Sequence, residues 1–147
     1  IMVETPSAAL LADVLARDAD FFSIGTNDLT GYMLACDRNN PQISGMFSSL
    51  QPCVLRTIRH IVQQAHAHHI PVGMCGEAAA DALMAPLLLA FGLTDFSVAP
   101  ASVLTVRNFI SHWSLAEARL AAEAVMAMDT EEEISRYLRQ RPETQPL

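Results

Sequence analysis

The sequence predicts an α/β fold made of half a (β/α)8 TIM-type barrel with extra C-terminal helices, and three observations predict it. Short apolar runs alternate with helical periodicity near residues 1–4, 20–25, 70–75 and 95–99, a pattern that calls for parallel strands joined by right-handed crossovers. Three of these runs close on polar or reactive side chains, Glu4, Asn27-Asp28 and Cys75, as happens when every strand delivers residues to one C-terminal rim. The glycine-rich phosphate turns of doubly wound sheets, G-x-G-x-x-G and G-x-x-x-x-G-K-[ST], do not occur.

The elements follow in order. Thr5-Pro6 is an N-cap with proline at the first helical position, and Leu10, Leu11, Val14 and Leu15 follow at helical spacing. Residues 20–25 form a short, apolar, aromatic run expected to be covered on both faces, and a second helix is expected over residues 29–36. Residues 37–51 are polar, aperiodic and punctuated by Pro and Gly, which predicts a long and therefore functional loop.

Pro52 opens a helix whose Val54, Leu55, Ile58, Ile61, Val62 and Ala65 trace one face, closing at His68-His69 where cations suit the dipole. The third strand delivers Cys75. A buried helix over about 81–91 then stops at Gly92, and the fourth strand, 95–99, leads into helical sequence over 101–113. Ser114 to Glu117 and Thr130 to Glu133 are capping boxes that start two further helices. The barrel half is expected to occupy 1–140, and 141–147 to be a frayed, Pro-broken tail.

The 147 residues fit one modest domain, and 51% hydrophobic against 17% charged residues is a globular composition. A formal charge of −7 and a pI near 5.0 argue against nucleic acid as a partner, because the nine cations are scattered. The apolar run 82–93 is too short to span a bilayer and contains Pro86, and no signal peptide is visible, so no membrane partner is expected. Three cysteines without a C-x-x-C pair suit a reducing cytoplasm. Ile1 is not an initiator and the chain opens inside a strand, which reads as the C-terminal part of a longer protein.

Gly73-Met74-Cys75-Gly76-Glu77 sets one thiol between two glycines at a strand end, where the backbone can turn sharply and a substrate can come close; a buried structural cysteine is the alternative. Glu4 and Asp28 suit a hard divalent ion that takes one or two carboxylates and completes its shell with water and substrate oxygens. The alternatives are an inter-strand hydrogen bond for Glu4 and, for Asp28, a cap on a helix starting at Leu29. Asn27 can donate to an anion and Arg38 can grip a phosphate in a two-pronged way, against a turn residue and a solvated arginine. His60, His66, His68 and His69 cluster, but the pair His66 and His69 lacks acidic or Cys partners at ligand spacing, so a solvated helix end outweighs a zinc site.

Taken together, the segments Met2-Val3-Glu4-Thr5-Pro6-Ser7-Ala8-Ala9, Phe21-Phe22-Ser23-Ile24-Gly25-Thr26-Asn27-Asp28-Leu29-Thr30, Asp37-Arg38 and Gly73-Met74-Cys75-Gly76-Glu77 resemble the phosphoenolpyruvate–protein phosphotransferases. This is the enzyme I family of the bacterial sugar phosphotransferase system, and the match is to the C-terminal half of its phosphoenolpyruvate-binding barrel. Pyruvate phosphate dikinase and phosphoenolpyruvate synthase share that barrel and are the nearest alternatives. The resemblance covers nearly the whole chain. It implies phosphoenolpyruvate as substrate, pyruvate as product, Mg²⁺ as cofactor and a cytoplasmic location, with the phosphoryl group passing to a histidine elsewhere in the full enzyme and on to a phosphocarrier protein.

Residue by residue, the resemblance makes Glu4 and Asp28 the metal ligands, Asn27 and Arg38 the phosphate-holding residues, and Cys75 the acid that protonates the enolate. The chemistry is compatible: phosphoryl transfer needs positioning and charge neutralisation, and a thiol is still largely protonated at neutral pH. Two departures stand out. The family usually has Gln at the position of Gly31, and this chain matches neither the swivelling phosphohistidine domain nor the first barrel half with its further arginines. The fragment is therefore expected to be inactive alone and to self-associate, as a homodimer or otherwise, to cover its open sheet. A barrel half kept as an assembly or interaction module is the reading from a different class.

Overall fold

Strands β1 (Met2–Val3), β2 (Phe22–Gly25), β3 (Val72–Cys75) and β4 (Asp95–Ser97) form one parallel sheet in the order β1-β2-β3-β4, as seen in a computed structural model that describes residues 1–141 and 144. Every strand therefore lies beside the next strand in the chain, and the order does not reverse. The register aligns Val3, Ile24, Met74 and Phe96 in one row, and Met2, Ser23, Gly73 and Asp95 in the row before it. Successive side chains alternate between faces, so these two rows point to opposite sides of the sheet.

One face is apolar and covered by helices: Val3, Phe22, Ile24, Val72 and Met74 are all buried. The other carries Met2, Ser23, Gly73, Asp95, Cys75 and Ser97, none of them buried. The expectation that the second strand is covered on both faces is thus corrected. Its residues alternate between buried and half-buried up to Gly25, because helices of the described chain pack on one side only.

The helices are α1 (Pro6–Leu10), α2 (Ala12–Leu15), α3 (Thr26–Leu34), α4 (Pro52–Ala67), α5 (Ala85–Phe91), α6 (Val103–Ser111), α7 (Leu115–Met126) and α8 (Glu131–Arg139). Thr5 caps α1 by accepting the Ala8 N–H at 3.2 Å, with Pro6 in the first turn. The face turned inward is not the leucine stripe. Ala9, Ala12 and Ala16 are buried, whereas Leu10 is 76% and Leu11 53% exposed. Both stripes have helical spacing, but α1 and α2 lie directly against α4, and small side chains let the backbones approach.

Helix α4 keeps the expected face, with Val54, Leu55, Ile58, Ile61, Val62 and Ala65 all buried. Past it, His66 packs over Gly92, where a Cβ would lie 2.6 Å from the imidazole Cε1, and His69 takes a left-handed φ of 59° that turns the chain toward β3. Gly92 closes α5 with a φ of 99°. The helix expected over 81–91 starts only at Ala85; before it Asp81 accepts the Leu83 N–H at 2.8 Å and holds a turn.

Ser114 and Glu117 form the full reciprocal capping box on α7. At α8 only half of that pattern forms: Thr130 accepts the Glu133 N–H, but the Glu133 carboxylate accepts from Asp129 instead of the cap residue. Of the tail expected over 141–147, Thr144 is buried and donates to the Leu138 carbonyl at 2.7 Å, and Arg141 stacks on the Tyr137 ring. The rest of the tail lies outside the described residues.

Candidate functional site

The C-terminal ends of β1, β2 and β3 lie side by side, so the chain segments that leave them meet at one rim. Glu4 is the residue after β1. Its carboxylate folds over Gly25, where a Cβ would sit 2.5 Å from Oε2 and 2.8 Å from its Cβ. Glycine at 25 is what lets Glu4 lie there.

At the end of β2 the chain passes directly into α3. The helix begins at Thr26, three residues earlier than the spacing predicts, because the Thr26 hydroxyl donates to the Cys75 carbonyl across the sheet at 3.0 Å and ties the first turn to β3. Asn27 and Asp28 therefore fall in the first turn, and Asp28 makes no capping hydrogen bond, which removes the cap alternative for it. A carboxylate there is favourably placed by the helix dipole.

Cys75 ends β3, in register with Gly25 on one side and Ser97 on the other. Its thiol is half-buried, accepts from the Ser23 hydroxyl at 3.6 Å and donates to the Ile24 carbonyl at 3.6 Å. Gly76 follows with φ of +97°, and a Cβ on it would collide with Thr26 Oγ1 and lie 3.3 Å from Asn27 Oδ1. The turn that this glycine allows brings the Glu77 N–H to Asn27 Oδ1 at 3.2 Å. With its carbonyl so engaged, Asn27 is left with its amide N–H groups to offer a ligand.

Arg38 reaches in from the long loop, its Nη1 bonding Glu77 Oε1 at 3.0 Å in an exposed ion pair. A cleft of about 550 Å³ opens beside it, lined by Asn27, Asp28, Gly31, Tyr32, Arg38 and Phe47, among others. The structure thus gathers three of the five residues singled out from the sequence around one cleft. Glu4 and Cys75 do not line it and stand instead at the sheet ends. Gly31 is a wall of the cleft, with the Cys36 carbonyl 3.3 Å from where its Cβ would be.

Sequence reasoning missed Ser23, Thr26 and Glu77. Ser23 was legible in principle, since it stands two residues before Gly25 and alternation puts both on one face. The Arg38–Glu77 pair was not, because it spans 39 residues and depends on how the loop folds back.

Among the described residues no three His, Cys, Asp or Glu side chains gather as a metal cage. Glu4 folded over Gly25 and Asp28 free of any cap bond are compatible with an ion that takes two carboxylates and otherwise binds water and substrate. No helix among the described residues is long and apolar enough to cross a membrane.

Residues 1–115 match the family described as PEP-utilising enzyme, PEP-binding domain. Among curated proteins, the chain is 42% identical over 140 residues to the phosphoenolpyruvate-protein phosphotransferase of Bacillus subtilis (strain 168), covering 95% of this chain and 25% of that protein. It is 44% identical over 138 residues to the protein of the same name in Mycoplasma capricolum, covering 94% of this chain and 24% of the relative. The corresponding protein of Enterococcus faecalis is 43% identical over 135 residues, 91% of this chain and 24% of the relative. The chain spans about a quarter of the length of the relatives it matches.

Proposed function

Because the chain belongs to the PEP-utilising enzymes through their PEP-binding domain, we propose that it supplies half of the (β/α)8 barrel in which a phosphoenolpyruvate–protein phosphotransferase binds phosphoenolpyruvate and releases pyruvate. One observation carries the reading: three adjacent parallel strands bring Glu4, Asn27-Asp28 and Cys75 to a single rim, with Arg38 joined to it through Glu77. The sequential strand order supports the barrel half. The names of the relatives favour this activity over that of pyruvate phosphate dikinase or phosphoenolpyruvate synthase.

In this reading Arg38 and the Asn27 amide hold the phosphate through charge-assisted hydrogen bonds. Glu4 and Asp28 would hold Mg²⁺, which when bound neutralises phosphoryl charge. The phosphorus–oxygen bond to the enol oxygen breaks as the phosphoryl group passes to a histidine in another part of the full enzyme, and from there to a phosphocarrier protein. The enolate left behind takes the Cys75 Sγ proton at its methylene carbon and becomes pyruvate. The thiolate recovers a proton from water. Three free thiols suit a reducing compartment, the cytoplasm.

The test is Cys75→Ala in the full-length enzyme that contains this chain. Pyruvate formation should fall about 10²- to 10⁴-fold, the range of a positioned general acid, while phosphoenolpyruvate binding stays close to the parent. Equal loss of binding and turnover would make the cysteine structural and overturn the assignment.

A further inference from the structure

We propose that Ser23 is a positioning residue for the Cys75 thiol: its hydroxyl holds the sulfur and stabilises the thiolate that proton delivery leaves behind. The inference rests on the reading of Cys75 as the acid and adds a residue which that reading does not include.

Two bonds meet at the Cys75 sulfur, and they use it differently. Its S–H can donate to the Ile24 carbonyl, while the Ser23 O–H donates to the sulfur, each at 3.6 Å, a length that the large radius of sulfur makes ordinary. The first bond points the S–H proton at a backbone oxygen of β2, toward the sheet. The second bond survives loss of the proton and strengthens with it, because a thiolate accepts better than a thiol.

After the S–H bond breaks and the new C–H bond forms on the enolate, Ser23 therefore faces the negative sulfur with a donor already aimed. Ser23 has no other side-chain hydrogen bond among the described residues. It is fixed by the sheet register: Ser23 pairs with Gly73 and Gly25 with Cys75, which makes Ser23 the diagonal neighbour of Cys75 on the uncovered face. Gly73 leaves that diagonal open. On the far side Ser97 is the direct register partner of Cys75, and among the described residues its side chain makes no hydrogen bond to the sulfur.

The charged groups around this face are Glu4 beyond Gly25, Asp95 on β4, Asp20 in the same hollow as Ser23, the Ile1 ammonium bonded to the Phe21 carbonyl, Asp28 in the first turn of α3, and the Glu77–Arg38 pair past Gly76. None of them changes in Ser23→Ala. A shift in that variant thus reports the hydroxyl.

The experiment is alkylation of the full-length enzyme that contains this chain with iodoacetamide, read at the Cys75 peptide by mass spectrometry across a pH series so that every other cysteine is counted apart. Alkylation tracks the thiolate. Ser23→Ala should slow Cys75 alkylation about three- to tenfold at neutral pH and move its pH profile upward, the loss of one hydrogen bond to the sulfur. Ser23→Thr should restore the parent profile, and Ser97→Ala should leave it in place.

A Ser23→Ala profile that coincides with the parent overturns the inference whatever Cys75 does in catalysis. So does a profile that Ser97→Ala moves as far as Ser23→Ala, since the effect would then be general loosening of the sheet. Failure of the underlying reading shows separately, as undiminished pyruvate formation by Cys75→Ala in the full-length enzyme.

Discussion

Gly76 and Asp28 carry the most exposed claims about single side chains. Gly76 holds φ of +97° with no room for a Cβ beside Thr26 and Asn27. Gly76→Ala should destabilise the chain by about 1–3 kcal/mol and loosen the Thr26–Cys75 tie, read as a lower melting temperature. Gly45→Ala is the matched control, since nothing lies within 4 Å of the position its Cβ would take, and its melting temperature should stay within about a degree or two of the parent. If the proposed metal site is right, Asp28→Ala in the full-length enzyme should weaken Mn²⁺ binding at least tenfold by electron paramagnetic resonance titration, because that site would lose one of its two carboxylates. Unchanged affinity would remove Asp28 from the proposed metal site. That Glu4, Asn27, Asp28 and Cys75 stand at or just past strand ends, and Arg38 in the long loop, was legible in the sequence; the roles proposed for them come from resemblance. Their partners were not legible, because Thr26, Glu77 and Ser23 act across 39 to 52 residues of chain.

Helix boundaries show where local pattern is sufficient and where tertiary contact decides. The apolar face of α4 was fully readable, since a 16-residue helix with one large-residue stripe has a single way to bury it. In α1 and α2 an alanine stripe and a leucine stripe compete, and proximity to α4 selects the alanines. The start of α3 was misjudged because a hydroxyl-to-carbonyl bond to another strand sets it. The α7 cap was read correctly from four letters, and it yields a pH prediction. The Ser114 hydroxyl, then the Ser114 backbone N–H, hold the Glu117 carboxyl below its ordinary value of 4.5, with Arg141 adding a little and burial opposing. A depressed folded-state value stabilises at pH above 4.5 and is lost as pH falls through that lower value. Thermal melts of Glu117→Ala and the parent should therefore differ at pH 7 and converge as the pH drops well below 4.5.

At the scale of the molecule, among the described residues the sheet has two unpaired edge strands, β1 and β4, and one uncovered face bearing a hollow of about 360 Å³ lined by Phe21, Ser23, Gly73 and Asp95 among others. The chain alone should self-associate in sedimentation velocity and release no pyruvate from phosphoenolpyruvate in a coupled assay, since misplacing catalytic groups by even about 1 Å costs roughly a hundredfold. A monomer that turned over would overturn both statements. The parallel sheet was legible from four apolar runs; that one face stays uncovered was not, since a run of three to four residues looks the same whether one side is packed or two. The unbroken order β1-β2-β3-β4 also bears on how the sheet comes into being. From β2 onward, each strand finds a partner that has already left the ribosome, so the sheet can grow as a row during synthesis. A pause after β2 or β3 leaves a paired intermediate that waits only for its next neighbour.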